Sequence, residues 1–227
     1  LPAYGFSPLN TAGFSTSRIA DVMAVLMTQL GHARFGIQGG DWGAGIGTWM
    51  AVKHPNRVVG LHLNYIPGSF QPPDEEWDAE SGAYGHIQRT RPPTVAYGLS
   101  DSPAGLAAWI YEKFVEWADP QTLPPLDDIL LNISLYWFTN TINSSMRMYY
   151  ESMGPGRSTP GPAITVPVGH GRYPREIYRG PRAWVEAAYD LVHWQEMPRG
   201  GHFAAMEVPD LFVDDVRLCF SRMSLAS

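Results

Sequence analysis

Residues 17–30 carry apolar side chains every three or four positions: Ile19, Val22, Met23, Leu26, Met27 and Leu30. That period predicts a helix with one apolar face, stopped by Gly31. Residues 33–38 read as a short strand, and residues 44–54 as a helix that ends at His54-Pro55, because proline pushes its predecessor out of the helical region. Residues 58–66 are apolar with few polar interruptions, the pattern of a parallel strand buried on both faces. From about residue 67 to 162 this alternation stops. Pro72-Pro73 and Pro92-Pro93 punctuate the stretch. Asp101-Ser102-Pro103 predicts a capped helix start with proline near its first position, continuing over 104–117. A further helix is predicted over 126–150, and a loop over 154–162. The alternation then resumes: a strand over 163–168, weakened by Pro167, a helix over 182–188, a short strand over 191–197 and a closing helix over 208–223.

Strands alternating with helices around one helical block predict an α/β fold, with a mostly parallel sheet and an inserted helical lid. The predicted division is core over 1–70, lid over 71–160, and core again over 161–227. The length of 227 residues suffices for one core with such an insertion. A net charge of −6 argues against a nucleic-acid partner. No apolar run approaches the length of a membrane span, and no segment resembles a signal peptide. The single cysteine, Cys219, excludes an internal disulfide and fits a reducing compartment. A cytoplasmic location is therefore expected, with a membrane anchor upstream left open. The chain starts at Leu1, without Met, in what reads as the end of a strand, so a preceding segment is expected.

The chemistry concentrates at Gly39-Gly40-Asp41-Trp42-Gly43, between a predicted strand and a predicted helix. Small-x-acid-x-small at such a turn has the layout of a nucleophile elbow, with aspartate where serine usually stands. Glycine suits the strained backbone, and Gly39 and Gly43 supply the small flanks. Gly45 and Gly47 continue a thin helix face able to pack closely on a sheet. The backbone N–H of Trp42 is a candidate oxyanion donor at a helix N-terminus. A carboxylate nucleophile suits the opening of a strained or activated carbon–heteroatom bond, because the resulting alkyl ester is hydrolysed at its own carbonyl. Two plainer readings compete. Gly43-Ala44-Gly45-Ile46-Gly47 lacks the G-x-G-x-x-G spacing of a dinucleotide loop, and the next strand ends in Asn64-Tyr65-Ile66 with no acid for a ribose. Asp41 as a mere helix cap is the stronger rival, since aspartate is a favoured N-cap.

Hydrolysis of such an ester needs a base. His202, in Arg199-Gly200-Gly201-His202-Phe203, follows the last predicted strand, where the chain order nucleophile, acid, histidine puts it. A base of this kind needs a carboxylate to fix its tautomer. Glu176 in Tyr173-Pro174-Arg175-Glu176-Ile177 fits; Asp190 competes, and a surface charge is the plain alternative for Glu176. An acid for an emerging alkoxide could be a phenol. The lid offers Tyr84, Tyr97, Tyr111, Tyr136, Tyr149 and Tyr150, and composition does not choose among them.

These residues stand in stretches that resemble epoxide hydrolases of the α/β-hydrolase superfamily, in their microsomal-type branch. The matching stretches are Leu1-Pro2-Ala3-Tyr4-Gly5-Phe6-Ser7, Ile37-Gln38-Gly39-Gly40-Asp41-Trp42-Gly43, and Ser81-Gly82 with Tyr84-Gly85-His86-Ile87-Gln88. Asp101-Ser102-Pro103-Ala104-Gly105-Leu106-Ala107-Ala108, Tyr173-Pro174-Arg175-Glu176 and Arg199-Gly200-Gly201-His202-Phe203-Ala204-Ala205 follow in the family's order. The resemblance implies Asp41 as nucleophile, His202 as base and Glu176 as its acid. It also selects Tyr84 and Tyr149 as the pair that binds the epoxide oxygen. The implied activity is hydrolysis of an epoxide to a vicinal diol through an aspartyl ester, without metal or organic cofactor, in detoxification or secondary metabolism. The implied partners are a small-molecule epoxide and water. An aromatic, methionine-containing lid favours a bulky apolar or aryl epoxide. Oligomeric state is open, a homodimer included. The family's His-Gly-x-Pro oxyanion motif is absent, so the chain reads as the C-terminal part of such an enzyme. Two rivals remain at this level: a haloalkane or haloacid dehalogenase, with Trp42, Trp77, Trp109 and Trp137 as candidate halide donors, and an inactive truncated hydrolase.

Overall fold

The computed structural model describes residues 1–7, 12–66, 81–155 and 164–225. The chain divides into two compact units.

The sheet-bearing unit comprises residues 20–71, 115–124 and 161–227. Its strands are β1 (Phe35–Gly39), β2 (Val58–Leu63), β3 (Val168–Arg172) and β4 (Leu191–Glu196), hydrogen-bonded in that order. All three pairings are parallel, as the apolar strand pattern predicts. Five of six residues of the inner strand β2 are buried, whereas β4, at one edge, buries only His193 fully. Helix α1 (Thr16–Gln29) precedes β1, and α2 (Asp41–Lys53) follows it directly. Gly47 lets α2 lie close on the sheet: a Cβ there would come within 3.0 Å of the Ile37 and Leu61 side chains.

One predicted strand is displaced. The expectation was 163–168, but β3 starts at Val168, where the predicted strand ends. Pro167 explains the shift: it has no N–H to donate, its carbonyl accepts from Leu61, and the ladder to β2 begins one residue later. Ile164 and Val166 are buried all the same, outside any strand.

The second unit, which holds most of the block read above as a lid and is called the lid unit after that reading, comprises residues 1–19, 72–114 and 125–160. Among its described residues are α3 (Ala83–Thr90), α4 (Pro92–Asp101), α5 (Pro103–Trp117, whose last turn belongs to the sheet-bearing unit), α6 (Leu126–Thr139) and α7 (Ile142–Met153). Helices α3 and α4 both pack on α7. The single helix predicted over 126–150 is two. Asn140 adopts the left-handed conformation (φ 51°, ψ 44°) and ends α6, a role asparagine fills at lower cost than most residues. The start predicted at Asp101-Ser102-Pro103 holds at Ser102, whose Oγ accepts from the Gly105 N–H at 3.0 Å; Asp101 instead ends α4. Most of the predicted loop at 154–162 lies outside the described residues, as does Trp77.

Helices α8 (Arg182–Ala188), α9 (Ala204–Glu207) and α10 (Pro209–Leu225) complete the sheet-bearing unit. Helix α10 crosses three strands where they carry glycine: a Cβ on Gly36, Gly60 or Gly169 would run into Phe220, Met223 or Cys219 respectively. No helix among the described residues is long and apolar enough to cross a membrane.

Candidate active site

Helix α2 begins at Asp41 itself. Asp41 has φ +46°, in the left-handed region, after an extended Gly40 (φ −126°, ψ 163°). Such a conformation costs a non-glycine residue about 1–2 kcal/mol, and it is the backbone signature of a nucleophile elbow. The helix cap is Gly40, so Asp41 does not serve as the N-cap. Its carboxylate accepts from the Trp42 N–H through Oδ1 and pairs with His202 Nε2 through Oδ2 at 2.9 Å. A Cβ on Gly39 would strike the Gly43 carbonyl, and one on Gly40 would strike the Asn64 carboxamide. Asn64 is itself fixed by Gln38, whose Nε2 donates to Oδ1 at 2.8 Å. Gly43 differs: a Cβ there meets nothing within 4 Å, so packing demands a small residue at Gly39 but not at Gly43.

Glu176 follows β3 and His202 follows β4. Arg175 and Gly201 form an isolated parallel bridge that draws these two loops together. His202 Nδ1 donates to Glu176 Oε1 at 2.6 Å, and that oxygen also accepts from the Ile177 N–H at 2.8 Å. The structure therefore lines up Asp41, His202 and Glu176 in one hydrogen-bonded chain. Exposure falls along it: the side chains are 39%, 5% and 2% accessible. The carboxylate at the open end is accessible, and the imidazole and the second carboxylate are shielded. Asp190, the competing acid, is exposed, and only its backbone carbonyl is engaged, accepting from Val168 N–H.

The electrostatics follow from this burial. Desolvation alone would lower the His202 pKa. The charge of Glu176, the hydrogen bonds to both carboxylates and the charge of Asp41 outweigh it and push the imidazole up to about 10. Burial also raises the Glu176 carboxyl above its ordinary range, with the His202 contact working against that rise. The ring edges of Trp117 and Phe203 approach His202 with centroids at 5.2 Å, and Tyr65 at 5.9 Å.

The other buried histidines are engaged elsewhere. His62 and His193 donate through Nε2 to the two oxygens of Asp215, at 2.9 and 2.6 Å, and His170 Nδ1 donates to the Leu63 carbonyl at 2.9 Å. In the lid unit Tyr84 and Tyr149 meet edge to face, with centroids 6.1 Å apart, and the Lys113 ammonium lies 4.5 Å from the Tyr84 ring centroid. Trp109 and Trp137 stand on α5 and α6 of that unit, and Trp42 on α2. Among the described residues no cluster of three or more His, Cys, Asp or Glu is arranged to hold a metal ion.

Sequence inspection missed Trp117, Asp119 and Glu207, all of which touch the His202 loop. The one local sign was the spacing Phe203-Ala204-Ala205-Met206-Glu207, at which an acid can reach back to the first N–H groups of its own helix.

Known proteins similar to this chain in sequence or in fold are numerous. A protein named "Putative epoxide hydrolase" in Stigmatella aurantiaca is 42% identical over 244 residues, covering 98% of this chain and 55% of that protein. Epoxide hydrolase 1 of Oryctolagus cuniculus is 37% identical over 262 residues, covering 95% and 57%. The crystal structure of juvenile hormone epoxide hydrolase from the silkworm Bombyx mori superposes with a TM-score of 0.87 at 34% identity, covering 99% of this chain and 59% of that one. The chain thus spans a little over half the length of the curated relatives it matches. The sequence pattern of the alpha/beta hydrolase fold matches residues 1–129. With that match, a parallel sheet and an aspartate at a left-handed strand-to-helix turn, the chain belongs to the α/β-hydrolase fold family.

Proposed function

We propose that this chain carries the catalytic aspartate, histidine and glutamate of an epoxide hydrolase. The observation that supports it most is the continuous chain Asp41 Oδ2, His202 Nε2, His202 Nδ1, Glu176 Oε1, with a carboxylate and not a hydroxyl at the elbow. In the first step an Asp41 oxygen attacks an epoxide carbon. A carbon–oxygen bond forms to Asp41, the ring carbon–oxygen bond breaks, and a phenol protonates the emerging alkoxide. That acid is assigned to Tyr84 and Tyr149, on the resemblance of their surroundings and their edge-to-face pairing within the lid unit. A bulky apolar or aryl epoxide remains the favoured substrate.

The second step explains the raised pKa of His202. With Asp41 ionised, His202 sits between two carboxylates and is held as imidazolium at neutral pH. Ester formation removes the Asp41 charge and its hydrogen bond as acceptor. Only Glu176 then supports the charged ring, while burial opposes it, so His202 gives up its proton, which restores the phenol that protonated the alkoxide, and can act as base. It takes a proton from water through Nε2, and the oxygen attacks the Asp41 carboxyl carbon. The oxyanion meets the Trp42 N–H. Collapse expels the diol oxygen, which takes up the proton left on the added hydroxyl, and Asp41 is regenerated as a carboxylate.

A single turnover in ¹⁸O-water tests this reading in the intact protein, with halide release from haloalkanes assayed beside diol formation. Heavy oxygen is expected in the Asp41 carboxylate. Label confined to the diol would mean direct attack by water and would overturn the ester mechanism.

A further inference from the structure

The loop that carries His202 hangs from a buried carboxylate with no part in the chemistry above. Glu207, the last residue of α9, is 9% exposed. Its Oε2 accepts from three donors: the N–H of Gly201 at 2.9 Å, the N–H of Asp119 at 2.8 Å and the hydroxyl of Thr122 at 3.1 Å. Its Oε1 accepts from the N–H of Phe203 at 2.8 Å. Gly201 and Phe203 are the two neighbours of His202 in the chain.

The remaining amides of the loop are held from the same side. The His202 N–H donates to the Trp117 carbonyl at 3.0 Å, and the Gly200 N–H donates to Asp119 Oδ2 at 3.0 Å. Asp119 Oδ1 in turn accepts from the Gln121 N–H at 3.0 Å. Every amide from Gly200 to Phe203 is therefore bound by Glu207 or by the segment 117–122. The fit is close. A Cβ on Gly201 would come within 2.6 Å of the Trp117 carbonyl oxygen and 2.8 Å of the Asp119 nitrogen. Gly200 at φ +101° supplies the turn that brings the loop onto this segment.

We infer that Glu207 is a positioning residue for the base: it fixes the backbone on both sides of His202 and ties it to the segment 117–122. The inference rests on the reading of His202 as the base of ester hydrolysis. A carboxylate is suited to this task because it accepts on both oxygens and donates on neither, and hydrogen bonds to an ionised acceptor are the short, strong ones. Local capping accounts only for the Phe203 bond. Two of the three bonds to Oε2, from Asp119 and Thr122, reach a segment more than eighty residues away in sequence. Catalytic placement is sensitive at this scale, where a shift of about 1 Å costs on the order of 100-fold in rate.

The test is Glu207→Gln in the intact protein, with styrene oxide as probe. The carboxamide keeps one acceptor and turns the other oxygen into an NH₂ group that faces donors. Ester formation on the Asp41 peptide and its hydrolysis are followed separately by rapid quench and mass spectrometry. Hydrolysis is expected to fall about 10- to 100-fold while ester formation changes less than about threefold, so the ester accumulates. A merely structural role would depress both steps together, and that result, or unchanged hydrolysis, overturns the inference. If the variant does not fold, Asp119→Asn, which loosens the Gly200 amide, carries the same test, with a selective loss of about 3- to 10-fold in hydrolysis and the same overturning results. His202→Gln separates the two failures. If it accumulates ester and the anchoring variants do not, the positioning role has failed; if it accumulates none, the reading of His202 as base has failed first and the inference with it.

Discussion

Glu176→Gln removes one charge from the site and little else. The carboxamide has the shape of the carboxylate and can still accept from His202 Nδ1. The contact is short, at 2.6 Å, between side chains that are 2% and 5% accessible, so little solvent screens it. The Glu176 charge is the strongest of the upward influences on His202, which together hold the imidazole at about 10 against an ordinary 6.5. An opposite charge at contact moves a pKa by about 1–3 units. The variant should therefore lower the His202 midpoint by that much, into the range of about 7–9. At pH 8 the native imidazole is roughly 1% neutral, whereas a midpoint near 8 leaves about half of it neutral. Two-bond ¹H–¹⁵N spectra of ¹⁵N-histidine-labelled protein between pH 6 and 11 read the ring nitrogens directly. The Asp41 pairing is untouched, so the midpoint should stay above the ordinary histidine value. A midpoint within about half a unit of the native one would refute the claim that Glu176 charge, more than any other influence, holds His202 protonated.

Two further outcomes follow from the elbow and from linkage. Gly39→Ala should destabilise the fold by at least about 2 kcal/mol in urea denaturation, because the new Cβ meets the backbone carbonyl of Gly43; Gly43→Ala, with open space around it, should gain about 0.5–1 kcal/mol from helix propensity, and equal effects would contradict the packing account. His202 has a folded pKa above its ordinary value, so its contribution is complete below 6.5 and is lost as pH rises through about 10. Tyr189, raised by burial to about 12, adds the same sign of slope above pH 10. Thermal denaturation should show Tm falling between pH 7 and 10, and His202→Gln should flatten that slope; parallel curves for the two proteins would refute it.

The parts of the molecule that were legible in the sequence are those written locally. The period of α1, the apolar run of β2 and the strand–turn–helix around Asp41 each declare themselves within about fifteen residues. The pairing of His202 with Glu176 was readable because chain order points to the ends of particular strands, and β3 and β4 do end beside these two residues. The misreadings have backbone causes. The break at Asn140 is a choice between two conformations of one residue, which side-chain periodicity does not encode. The start of β3 was misplaced by reading apolar character through a proline. Tyr84 and Tyr149 were chosen through resemblance alone, since several lid tyrosines had equal claim by composition. Apart from the Phe203-to-Glu207 spacing, Glu207 and Asp119 left no sign, because their partners across the fold lie 81 to 88 positions away and no pattern along the chain records such a pairing.

The segment 115–124 sets the rules for recombining this protein with its relatives. A designer exchanging lids by sequence would cut at the ends of the helical block and carry these ten residues away with it. They belong to the sheet-bearing unit, and the helices of the lid unit continue on either side of them. Such a chimera would inherit foreign hooks for the amides of Gly200 and His202, and Glu207 would keep only its bonds to Gly201 and Phe203. A graft that exchanges 1–19 together with the cassettes 72–114 and 125–160, and leaves the ten residues between those two cassettes native, changes the lid unit while keeping the contacts of the His202 loop. The modular boundary in this chain is therefore a pair of cuts within the lid, in addition to those at its ends.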